Sequence, residues 1–178
     1  MAASPVAVGL ATNTAAATRA TSGRAGPRAV ERALRAGRLY AVIEAWGTPT
    51  GFDFHLSGPE GPVEMGETVA FRPGQRIVIE PPKVHDRSPA LPAPEIRLRL
   101  YRLHDGRRQI LVDDRDRVDL AVPGPGTYRV EVGIVPRHLT PYLGRSAGRY
   151  LREVPWIYSN PIRVVAPGGS ATAPRETP

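Results

Sequence analysis

The chain has 178 residues, 41% of them hydrophobic, and no cysteine, which allows one domain with a real core and excludes disulfides, zinc knuckles and thiol catalysis. Gly 18 and Pro 20 exceed average usage and fall between apolar runs, where turns belong, so a low-complexity polymer is excluded too. The formal net charge is +7, but five arginines (Arg19, Arg24, Arg28, Arg32, Arg35) against Glu31 set +4 of it before Gly37, leaving the remainder only mildly basic.

Residues 1–26 are Ala, Thr, Ser and Gly with scattered Arg, a composition that buries too little apolar surface to offset backbone ordering, and a disordered lead is expected. The apolar stretch Val6–Ala11 is too short and weak for a secretory core or a membrane span. The default is a soluble cytoplasmic protein with no membrane partner. Pro27–Ala36 reads as a short helix, with proline suited to its first turn and Gly37 placed to end it. Val30, Ala33 and Leu34 share one face of it, too small to stabilise an isolated helix, so the helix must dock.

From Gly37 the apolar period changes to two. Leu39–Trp46 and Phe52–Leu56 flank a breaker-rich turn and read as a strand pair, and Thr68–Phe71 with Gln75–Glu80 reads as a second pair around Pro73-Gly74. A proline-rich connection spans residues 81–94. Glu95–Leu103 is the cleanest strand, with Ile96, Leu98 and Leu100 inward and Arg97, Arg99 and Tyr101 outward. Asp105-Gly106 tolerates the positive φ of a tight hairpin and turns the chain into Gln109–Val112. Val118–Val122, a Pro-Gly-Pro-Gly corner, Thr127–Val135 and Ile162–Val165 complete the series. In Pro125-Gly126-Thr127-Tyr128-Arg129-Val130 a tyrosine opens a strand two residues before an inward position, the pattern of a tyrosine corner.

Short strands at this spacing predict an all-β fold: an antiparallel immunoglobulin- or fibronectin-like β-sandwich over residues 37–165, with one N-terminal helix at 27–36 and disordered termini at 1–26 and 166–178. Residues 136–161 interrupt that plan with a helical turn at Ala147–Glu153, then Pro155-Trp156-Ile157-Tyr158. A tryptophan and a tyrosine beside prolines either fill a core edge or anchor a contact.

Little in the chain carries chemistry. His55, His85, His104 and His138 lack HxH or HExxH spacing; a weak ligand pair is conceivable at His55, on the same face as Asp53, or at His85, beside Asp86, but an exposed strand and an exposed loop residue are expected there. Asp113, Asp114, Asp116 and Asp119 lack the order of a calcium loop and read as a solvated turn. Arg97, Arg99, Arg102, Arg107 and Arg108 cluster on one hairpin but lack interleaved stacking aromatics apart from Tyr101, so a solvated face is favoured over nucleic-acid binding. No P-loop or dinucleotide motif occurs, and no cofactor is expected in this chain.

The segments ALRAGRLY (Ala33–Tyr40), GTPTGFDF (Gly47–Phe54), EMGETV (Glu64–Val69), IRLRLYRLHDGRR (Ile96–Arg108), PGTYRVEV (Pro125–Val132) and PWIYSNPIRV (Pro155–Val164) together resemble the C-terminal end of bacterial PHP-domain (polymerase and histidinol phosphatase) metal-dependent phosphoesterases. The last segment is the most specific. The resemblance implies a β-sandwich that follows a metal-binding β/α barrel, with residues 27–37 as the last helix leaving it. The barrel's HxH motif and later metal ligands have no counterparts here, so divalent metals are expected only in a barrel this chain lacks, and no catalytic residue carries over.

The expectation is a noncatalytic accessory domain whose Val30 and Leu34, with Trp156, Tyr158 and Asn160, pack on such a barrel or another protein. The chain is then a truncated product, the partner of a separately encoded barrel, or an independent module. Two rivals stand beside it: a free-standing sandwich binding a carbohydrate, peptide or protein through Trp46, Trp156 and the 136–155 loop, and nonspecific nucleic-acid binding by the arginine-rich lead.

Overall fold

A computed structural model describes residues 8–12 and 27–168, and the fold is an all-β sandwich. The smaller sheet has the order β11-β7-β4-β5, from Asp53–Ser57 (β4), Val63–Glu64 (β5), Arg76–Glu80 (β7) and Val118–Ala121 (β11). The larger sheet is built on Gly126–Val135 (β12). One side of β12 pairs with Glu95–His104 (β9), which pairs in turn with Arg107–Asp114 (β10). Its other side is shared by Val154–Ser159 (β13) and Ile162–Val165 (β14). Leu39–Ile43 (β2) pairs with β13, and Val8–Thr12 (β1) pairs with β2 at the far edge. Pro49–Thr50 (β3) and Lys83–Val84 (β8) form a separate two-stranded pair.

Alternation sets which residues face inward. Phe54, Leu56, Ile77 and Ile79 from the small sheet meet Leu98, Leu100, Val130, Val132 and Ile134 from the large one, all at 0–1% exposure. Tyr128 heads β12 and its hydroxyl donates to the Gly124 carbonyl at 2.5 Å, so the tyrosine corner expected from the sequence forms. The Asp105-Gly106 turn forms as well, with φ of 50° and 69° at its two residues.

Both strand pairs expected near the start are replaced by longer-range partners. β2 pairs with β13 rather than with β4, and β4 pairs with β7 and β5. Thr68–Ala70 (β6) does not turn back onto β7 but runs parallel to β14 in the other sheet. The turns at residues 47–51 and 72–75 thus carry the chain between sheets. This is where local turn signals mislead, because they fix a change of direction and not the partner strand.

Residues 1–26 were expected to be without structure, yet five of them form β1. Backbone pairing with β2 explains this, since an edge strand draws its hydrogen bonds from its neighbour whatever its own composition. The rest of that lead and the tail beyond residue 168 lie outside the described residues. The helix Pro27–Arg35 (α1) forms as expected and lies beside β1. The 136–153 connection folds into short helical turns, including Thr140–Leu143 (α2) and Ala147–Tyr150 (α3). No helix among the described residues is long and apolar enough to cross a membrane.

Candidate functional site

Helix α1 ends in two backbone bonds that wrap its last carbonyls. Gly37 N–H donates to Leu34 at 3.0 Å and Arg38 N–H to Ala33 at 2.9 Å, which requires Gly37 at its positive φ of 69°. The sandwich then grips this corner from two directions. Asn160 Nδ2 donates to the Gly37 carbonyl at 2.9 Å, and its N–H to Leu39 at 3.1 Å. Gly66 N–H donates to Pro161 at 2.9 Å, and the Arg38 guanidinium is paired with Glu67.

The helix is therefore fixed at its C-terminal end, while its outer face stays bare. Ala29, Ala33 and Ala36 are half-buried, whereas Val30 and Leu34 remain 39% and 46% exposed. The docking expected of that apolar face is not made within the described residues.

The other expected interface residues are dispersed. Asn160 does reach the helix, through Gly37. Tyr158 stands on the outer face of the large sheet, half-buried, with the Arg129 guanidinium carbon 5.2 Å from its ring centre. Trp156 is a correction: it is fully buried, and its Nε1–H donates to the Gly47 carbonyl at 2.8 Å, so it fills the core and offers no surface. Trp46 packs half-buried with its ring 5.9 Å from that of Tyr150. An aromatic platform for a carbohydrate or peptide is thus not formed by this pair.

Four of the five hairpin arginines, all but Arg107, are engaged with neighbouring groups of the domain. Arg97 pairs with Asp113, Arg99 with Glu153 and Asp113, Arg102 with the Pro125 carbonyl, and Arg108 with Glu131 while lying 3.6 Å above the Tyr101 ring centre. That cover explains why outward-facing Tyr101 is only 7% exposed. The neighbouring guanidinium groups hold the carboxyls of Asp113 and Glu153 below their ordinary range. Asp119, at the other end of the acidic run, is bound instead to Arg76 and Arg117 on the small sheet. The four aspartates therefore do not converge.

Two histidines are buried, of which His55 was expected to be exposed. His55, 5% exposed, places Nδ1 2.9 Å from Asp53 Oδ2, and Glu64 lies directly opposite on β5. Alternation had put Asp53 and His55 on one face; their burial had no local signal. Among the described residues no group of three or more His, Cys, Asp or Glu is arranged to hold a metal ion.

His138 is 4% exposed, with Nε2 3.1 Å from the Trp46 carbonyl and Nδ1 without a hydrogen-bond partner among the described residues. The Nε2–H tautomer is the one that satisfies this carbonyl. Burial lowers its pKa from 6.5, and Arg87 lowers it further against the opposing effect of that hydrogen bond. A depressed histidine stabilises the fold fully above the unfolded value, and that stability is lost as pH falls below about 6.5 toward the folded value. The melting temperature should therefore drop between about pH 7.5 and about pH 5, and His138→Gln should show a smaller drop over the same interval. Equal drops in both proteins would remove His138 as the cause.

Comparison with protein-family models, with curated proteins and with solved structures finds no match to the chain.

Proposed function

We propose that this chain is a noncatalytic accessory module of the PHP phosphoesterase type, working in the cytoplasm and packing through α1 on a catalytic barrel carried in cis or in trans. The observation that carries this reading is an apolar helix face, Val30 and Leu34, held in place by a corner bonded to the sandwich. A helix that merely frayed from the end of the domain would have no need of the Asn160 and Gly66 contacts. The most specific of the shared segments, PWIYSNPI, supports it further, because its Asn160 is the residue that bonds the helix corner. Metal ions and the hydrolytic step belong, on this reading, to the barrel.

The experiment mixes the purified chain with a separately expressed PHP-type barrel. Co-elution and a raised barrel melting temperature are expected. Val30→Asp/Leu34→Asp should weaken the complex by roughly tenfold or more, since apolar anchors at an interface centre contribute about 1–2 kcal/mol each. Barrel stability and phosphoesterase activity that stay constant across the whole titration would sink the reading.

A further inference from the structure

The large sheet ends, on the side away from α1, at β10. Among the described residues this strand pairs with β9 alone, so its eight residues present one row of backbone donors and acceptors to which no described strand is paired. Its sequence is Arg-Arg-Gln-Ile-Leu-Val-Asp-Asp: cations at one end, anions at the other and apolar residues between. Laid antiparallel on itself, such a strand meets its own complement.

We propose that β10 pairs with β10 of a second copy across a two-fold axis, in the register that sets Arg107 opposite Asp114 and Arg108 opposite Asp113. An axis perpendicular to the sheet keeps each residue on its own face, so facing residues must already share a face. In an unbroken strand, residues five or seven apart lie on opposite faces, and this pairing would be impossible. The bulge at Leu111 corrects the parity.

The β9 partners show it. Arg108 lies opposite Leu103 and Asp113 opposite Arg99, and these two β9 residues, four apart, share the outer face. Arg107 lies opposite His104 and Asp114 opposite Leu98, six apart, so they share the inner face. Gln109 and Val112, opposite Arg102 and Leu100, match in the same way. The three outer pairs of the four in the proposed register are therefore face-matched, and only because of the extra residue, Leu111, which lies in the central pair with Ile110. A bulge in an edge strand usually hinders pairing; here it selects one register.

The centre of the strand supplies the apolar contact. Ile110 is 53% exposed, the most exposed isoleucine among the described residues, and the two-fold sets it opposite Leu111 of the second copy with its own copy diagonally across the axis. The outermost charges are available for it, whereas Arg108 and Asp113 already pair with Glu131 and with Arg97 and Arg99. Arg107 has no ion pair among the described residues, and Asp114 accepts only from the backbone N–H groups of Arg115 and Asp116. The α1 face, at the other edge of the sheet, stays open in such a dimer, so this inference does not depend on the barrel reading.

Sedimentation of the full chain at low salt should show a monomer–dimer equilibrium that shifts toward monomer as salt screens the charge pairs. Arg107→Asp alone and Asp114→Arg alone each set like charges across both ends of the axis, and each should raise the dimerisation midpoint about tenfold. Mixed in equal amounts, the two variants should recover the dimer, because every altered residue then faces its opposite charge. A full chain that remains monomeric at about 0.1 mM would overturn the proposal. So would single variants that dimerise undiminished, or a mixture that associates no better than its parts.

Discussion

Trp156→Ala is expected to lower stability by about 3–5 kcal/mol, a large share of the roughly 5–15 kcal/mol that holds a domain of this kind folded. Three losses coincide. The indole is fully buried in the hydrophobic core, so truncation opens one of the larger cavities a single change can make there. Its Nε1–H satisfies the carbonyl of Gly47, which sits at φ 115° where the chain leaves β2 for β3, and that carbonyl would lose its partner. The residue also lies where the register of β12 and β13 shifts, between the Val132–Ile157 and Gly133–Pro155 pairs, so its packing stabilises an irregular stretch of the ladder. Urea unfolding would read the effect as a lower midpoint. Trp156→Phe should fall between the two, keeping most of the volume and losing the hydrogen bond. Undiminished stability in Trp156→Ala, with some binding function lost instead, would restore this tryptophan to the surface role that the sequence left open.

That ambiguity shows where local sequence ran out. Alternation over Glu95–Leu103 gave the core face correctly, because a strand buried on one side must repeat every two residues. The tyrosine corner was legible because its bond runs only four residues, from Tyr128 to Gly124. The parallel pairing of β6 with β14 joins residues nearly a hundred positions apart, and no turn between them encodes it. The burial of His55 and His138 follows from what packs over each strand or loop, which a period-two pattern does not specify. Trp156 sits in a segment where a bulge breaks the alternation, so its direction could not be counted from its neighbours. The candidate site was half legible: the helix and its apolar face were plain, and its fixed corner was not, since the Asn160 to Gly37 bond spans 123 residues.

That corner leads to the second large effect, Gly66→Ala. At φ +86° an alanine pays the left-handed backbone cost of about 1–2 kcal/mol, and its Cβ would collide with the Ala36 carbonyl oxygen and sit 2.7 Å from the Gly37 carbonyl carbon. Both are backbone atoms of the helix end, so neither can swing aside as a side-chain tip would. The turn at residues 64–67 or the helix must move. Gly61 supplies the control: its φ of +104° is also left-handed, but a Cβ there meets nothing within 4 Å. Gly61→Ala should thus cost only the backbone share, and Gly66→Ala clearly more, at least about 2 kcal/mol by urea unfolding. The two variants should also differ in kind. Displacing the helix end breaks the Gly66–Pro161 and Asn160–Gly37 bonds together, so amide exchange in α1 should quicken more than in β9 or β12. If Gly66→Ala instead behaves like Gly61→Ala, with α1 exchanging as before, the corner is not what holds the helix, and Val30 and Leu34 lose their fixed platform.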